Sequence, residues 1–197
     1  MNHTHHRAVR RALPAGVAAG ALAIALGAGS AAGQAVPPDP ATIDMALKGK
    51  RTLQFKGAKQ VVAGEELRIR NATSAKKVGP HTFTLVGARL LPKTKRAGER
   101  CFTPGHICLR AANAHRFNPR TEKVSRPLFE TGQEGWDKSF TRKRSSKGDT
   151  WYTGKKGETF SQVVSATAGT TLRFMCVVHP EMQGKIDVVE GTPAPTP

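Results

Sequence analysis

Acidic residues are scarce in this 197-residue chain: 14 stand against 31 basic ones, leaving a net charge of +17 at pH 7. Aromatics are scarce too, at 6%. A charge of that size points first to nucleic acid. No pattern of aromatic side chains accompanies it to stack on bases, so nucleic acid is not the expected partner. Anionic envelope polymers, lipid headgroups or an acidic protein fit the charge better. Apolar residues are lean at 38%, and 20 Gly with 13 Pro exclude a helix bundle in favour of turns and short strands. Catalytic signatures are also missing: there is no G-x-S-x-G for a serine hydrolase and no C-x-x-C-H for haem attachment.

The one apolar run lies at the N-terminus. Arg7, Arg10 and Arg11 precede "GVAAGALAIALGAG", and "SAAGQA" supplies small residues for cleavage near Ala32 or Ala35. This predicts a signal peptide over residues 1–32. The run is too short and too rich in Gly and Ala for a membrane anchor. No Cys near the cleavage site supports lipidation. The expected location is therefore the periplasm, cell envelope or exterior, with no transmembrane segment after processing. Removing residues 1–32 takes three basic and no acidic residues, leaving +14.

Only three cysteines are present, which in an exported chain leaves one over when two pair. Cys101 and Cys108 sit in "CFTPGHIC", where Pro104 and Gly105 make a turn that can bring them together. Cys176 is then the free thiol. An oxidising compartment attacks a free thiol unless something occupies it.

Residues 33–41 read as a linker and 191–197 as a disordered Pro-rich tail. Between them the period is two: Leu67 and Ile69 alternate with Arg68 and Arg70, and Phe83 and Leu85 alternate with Thr82 and Thr84. Strands are expected in "TIDMAL", "RTLQF", "KQVVA", "ELRIRNAT" and "HTFTLVG", then in "TWYTG", "GETFSQVVSA", "GTTLRFMC" and "GKIDVVEG". Residues 88–148 are basic, broken by Pro and poor in periodicity. They read as a long, mostly irregular insertion with a short helix near Arg110–His115. The expected fold is an all-β Greek-key sandwich of seven or eight short strands, one domain over 42–190 carrying that insertion.

"FMCVVHPEM", residues 174–182, puts a thiol, an imidazole and a thioether within seven positions: Cys176, His179 and Met182. Such spacing would share one face of a helix, but Pro180 and the strand pattern just before it make a loop. Zinc sites do not draw on Met. Two His, one Cys and a weak axial Met describe a blue-copper site. A second imidazole is needed, and His81, His106 and His115 are the candidates, since His3, His5 and His6 leave with the signal peptide. His106 lies between the paired cysteines and His115 in a basic loop, so both read as surface residues. His81, at the start of a strand, is favoured.

"GEELRIRNATSAKKVGPHTFTLVG" and "GETFSQVVSATAGTTLRFMCVVHPEMQGKIDVVEG" together resemble the cupredoxins, the plastocyanin and amicyanin group. The C-x-x-H-x-x-M spacing is most similar to amicyanin. The resemblance covers 42–87 and 149–190 and omits the stretch between. It implies one type 1 copper per chain, held by His81, Cys176 and His179 with Met182 axial. It further implies Phe174 beneath the site, Gly184 in a tight turn into the last strand, and Thr82 bracing the ligand loops where the family often has Asn. Val178 stands where the family commonly has Pro. The function implied is single-electron transfer, leaving by the edge of His179, in a monomer that meets an acidic redox protein or an anionic envelope surface. Copper storage, delivery or sensing with the same ligands is the alternative. An enzyme is not expected. Met175 and Val177, not His, flank Cys176, no His-x-His remains after processing, and Leu172 and Pro180 stand where a binuclear centre needs a second Cys.

Overall fold

A computed structural model describes residues 39–191. The expected signal peptide, most of the linker and nearly all of the tail lie outside the described residues. Strands form where the period-2 pattern lies: β1 (Ala41–Lys48), β2 (Thr52–Gly57), β3 (Gln60–Val62), β4 (Glu66–Asn71) and β5 (His81–Leu85). A short helix, α1 (Ala75–Val78), precedes β5. The insertion holds α2 (Lys95–Glu99), α3 (Ile107–Ala114) and three two-residue strands, β6 (Phe117–Asn118), β7 (Lys123–Val124) and β8 (Leu128–Phe129). Then come β9 (Thr150–Thr153), β10 (Thr159–Val163), β11 (Thr171–Met175) and β12 (Gln183–Val189).

Two sheets build a Greek-key sandwich, one ordered β10-β4-β1-β2 and the other β3-β12-β11-β5-β9-β8, with β6-β7 as a separate ribbon. The twelve strands among the described residues exceed the seven or eight expected, and nine remain even without the three short strands of the insertion. The chain crosses between the sheets from β2 to β3, β3 to β4, β4 to β5, β9 to β10 and β10 to β11. The pairs β1 with β4 and β3 with β12 are parallel, whereas the rest are antiparallel. The inner faces meet at Phe55, Phe83 and Phe174, whose rings lie 4.5 to 5.9 Å apart. That geometry adds edge-to-face attraction to the burial of apolar area.

The insertion is mostly irregular, yet it is not an appendage. Its β8 extends the larger sheet beside β9. Its Trp136 is fully buried in the sandwich core, 5.0 Å from the Phe83 ring and 5.8 Å from Phe160. Its helix α3 and the disulfide Cys101–Cys108 (Cα–Cα 5.1 Å) pack with Phe140 against Met175 and Val177. This second core covers the face of β5 and β11 turned away from the sandwich interior. As a result all five residues of β5, threonines included, are buried. Alternation alone would leave Thr82 and Thr84 facing water.

Candidate metal centre

Three side chains, one from β5 and two from the loop after β11, meet at one end of the larger sheet. His81 begins β5 directly after Gly79 and Pro80. Gly79 has φ +80°, a left-handed backbone that glycine adopts without strain, and it packs beside the His179 ring. Cys176 follows β11 and continues the inward set Leu172 and Phe174. The loop after it closes on itself: the Cys176 N–H donates to Met182 O (2.9 Å) and the Met182 N–H to His179 O (2.8 Å). Gln183 Nε2 ties the same loop to Pro180 O (2.7 Å) and to the insertion at Pro92 O (2.8 Å).

Donor atoms of His81, Cys176 and His179 all lie within 4.8 Å of one another. Cys176 Sγ is 3.8 Å from His81 Nδ1 and 3.6 Å from His179 Nδ1. Neighbours fix which nitrogen of the His81 ring is bare. The Thr73 hydroxyl donates to Asn71 Oδ1 (2.8 Å), so the 2.7 Å contact between Thr73 Oγ1 and His81 Nε2 needs the proton on the ring. His179 turns its Nδ1 toward the same thiol, 3.6 Å away. Both Nδ1 atoms face Cys176 Sγ, a donor set that fits a metal ion taking nitrogen and thiolate together.

The electrostatics agree. Burial, then the nearby His179, lowers the His81 pKa to about 4. Burial also lowers His179, against opposing pulls from Glu181 and the Val78 carbonyl. Both rings are neutral at pH 7. Burial pushes the Cys176 thiol up from its ordinary value, opposed by hydrogen bonds from the amides of Thr82, His179 and Val178. A cation would reverse that balance by favouring the thiolate. Met182 is buried in the same apolar cluster as Cys176.

Of the histidines considered from sequence, His81 joins Cys176 and His179, whereas His106 is exposed at the start of α3 and bonded to Thr103 (2.9 Å). His115 is a correction: it is buried, not on the surface, with Nδ1 2.8 Å from Arg126 O and Nε2 2.9 Å from Thr150 Oγ1. Gly184 is another. It lies within β12, and a Cβ there would overlap the Phe174 ring, so its role is close packing rather than a turn. Thr82 does brace the loops, donating its N–H to Cys176 Sγ (3.3 Å) and accepting the Val177 N–H at Oγ1 (2.9 Å). The buttress of Asn71 and Thr73 behind His81 was not foreseen. "NAT" does carry its signal, since Asn71 Oδ1 takes the Thr73 N–H (2.9 Å) in the turn that Asn favours.

No family model and no curated protein matches this chain. Solved structures do. One is titled as auracyanin B: 14% identity over 75% of this chain and 86% of that one, TM-score 0.38. Another is a dithionite-reduced auracyanin from the photosynthetic bacterium Roseiflexus castenholzii: 13% identity over 75% and 94%, TM-score 0.34. At such distances the donor geometry, not the likeness, bears on function.

Proposed function

We infer that this chain is a blue copper protein of the cupredoxin type, holding one copper ion and passing single electrons between partners. The observation that carries this reading is the pair of imidazole Nδ1 atoms, 3.6 and 3.8 Å from the one free thiol among the described residues. His81, Cys176 and His179 would be the strong ligands and Met182 the weak axial one. Copper bound there would supply a one-electron couple, because thiolate and thioether suit Cu(I) and imidazole suits both states.

The protein's own part is to hold those donors still. Asn71 and Thr73 fix His81, and the Thr82 amide holds the sulfur. Water is kept from Cys176 and His81 by the surrounding apolar side chains, while His179 is only half-buried. Its edge is the route for the electron, beside Pro180, Val178 and the exposed ring of Phe102. We expect the chain to be exported, to act as a monomer and to meet an acidic redox protein or an anionic envelope surface.

Repeated redox cycling separates an electron carrier from a storage or delivery module. The copper-loaded protein should be bleached by one electron and recover its full colour on reoxidation, with no metal passing to a competing chelator. Release of copper on reduction would favour storage or delivery.

A further inference from the structure

The insertion gathers positive charge in one groove. About 520 Å³ in volume, it lies between the end of α3, the segment leading into β8 and the loop over residues 140–147. Arg110, Arg116, Arg126, Arg144 and Lys147 line it, and no acidic side chain does. Among the described residues the ion pairs are Arg70–Asp44, Lys95–Glu99 and Lys138–Asp137, so none of the five has a carboxylate partner. Glu130, beside Phe129, and Asp149, shortly after Lys147, are turned to backbone instead. Glu130 Oε1 accepts the Gly135 N–H (3.1 Å), and Asp149 accepts the amides of Thr131, Asp137 and Lys138.

Packing holds these charges together against their own repulsion. Arg126 Cζ and Lys147 Nζ lie 5.4 and 5.7 Å from the centroid of the same Phe129 ring. An aromatic face attracts each cation, but two on one ring repel each other. Arg110 lies over Phe140, 5.4 Å from its centroid, and its guanidinium donates to the carbonyls of Thr141 (2.8 Å), Lys143 (3.0 Å) and Ser146 (2.7 Å). Those bonds shape the loop that carries Arg144 and Lys147. One sign of charge along a concave wall focuses its field, and a bound anion relieves the repulsion.

We propose that this groove binds an extended, phosphate-bearing polymer of the cell envelope, one without bases. This deepens the expectation of an exported chain with an anionic envelope partner and is independent of the copper ligands. Guanidinium forks pair with phosphate oxygens two at a time, and the exposed Ser145 and Asn113 add neutral donors. Five cations spread over three segments exceed what a single phosphate can span. The only rings in the groove, Phe129 and Phe140, are buried beneath the cations. No apolar side chain there is free to enter a bilayer, to stack on a base or to form the dry centre of a protein interface. The groove shares no residue with the surface around Pro180, so a polymer held here does not occupy the docking patch near His179.

The test is calorimetric titration of the full, metal-free chain with a short linear inorganic polyphosphate at several salt concentrations. Arg126→Gln, Arg144→Gln and Lys147→Gln together should weaken binding at least about tenfold at low salt, and flatten the log–log salt slope by about one per cation removed. Arg144→Gln with Lys147→Gln, both at exposed positions, gives the same direction without touching half-buried Arg126. Lys93→Gln, Lys95→Gln and Arg96→Gln remove the same charge elsewhere and should weaken binding only about twofold. Equal losses from the two triple variants would mean that net charge alone binds, and would overturn the proposal. So would inorganic phosphate binding as tightly as the polymer, or tighter binding to oligothymidylate of equal phosphate number or to phosphatidylglycerol vesicles. A chain that stays colourless with Cu(II) while the groove variants still lose polyphosphate would sink the copper reading and leave this one standing.

Discussion

At residue 184 there is no room for a methyl group, because the Phe174 ring lies flat against the glycine. Gly184→Ala should cost about 1–3 kcal/mol, the usual penalty for overpacking a filled core, and an unchanged thermal midpoint would contradict that contact. Met182→Leu keeps the apolar volume and removes the thioether, so colour should persist while the reduction potential shifts. Asp149 tests the second core. It is fully buried, and burial raises its carboxyl to about 6 against the amides of Asp137, Lys138 and Thr131 that favour the carboxylate. An acid whose folded pKa is raised holds its proton more tightly in the folded state. Its contribution is therefore full below the unfolded value near 3.8 and is lost as pH rises through about 6. The two-unit gap corresponds to at most about 3 kcal/mol. Denaturant unfolding of Asp149→Asn between pH 4 and 7 should lack that slope, and should show lower stability because an amide NH₂ cannot accept two N–H groups. What sequence could show at this scale was the donor chemistry of Cys176, His179 and Met182, written in seven consecutive residues. His81 was legible from its place at a strand start. His115 was not, because nothing local to "ANAHRF" says that a helix and a strand bury it.

Among the elements, strands β1–β5 and β9–β12 follow directly from the period-2 pattern, whose alternation is set by burial on one face. The insertion broke that logic. Its charge and Pro content hid Trp136 and Phe140, which are single large apolar residues without periodicity around them, and period cannot register an isolated anchor. Reading 88–148 as an insertion implies that it could be deleted and the gap closed with a short turn, keeping the copper and losing the charge. The structure argues against it, since the cut removes β8, Trp136 and the cover over Met175 and Val177. Trp136→Ala alone should cost about 3–5 kcal/mol, measured by denaturant unfolding, and a loss under 1 kcal/mol would mean the insertion is separable after all. The disulfide closes a short loop, so Cys101→Ala with Cys108→Ala should cost about 2–3 kcal/mol. It should leave the copper ligands in place.

For the whole molecule, charge and site lie side by side. Residues 88–148 hold 15 basic and 5 acidic residues. Their α2 presents Lys95 and Arg96 next to Pro180, close enough that a Cβ on Gly98 would lie 3.7 Å from the Pro180 side chain. Long-range attraction would govern encounter with an acidic partner and the apolar rim near His179 the final docking. Lys93→Glu, Lys95→Glu and Arg96→Glu together should slow association about tenfold at low ionic strength and converge with wild type as salt shortens the screening length. Stopped-flow electron transfer measures it, and equal rates at low salt would reduce the charge to a solvated surface. All of this presupposes the copper. The most direct test is a Cu(II) titration of the metal-free chain followed by visible absorption, with Cys176→Ser beside it. One equivalent should bring up an intense thiolate-to-copper band in the wild type and none in the variant, whereas a colourless wild type, or a serine variant that turns blue, would contradict the assignment.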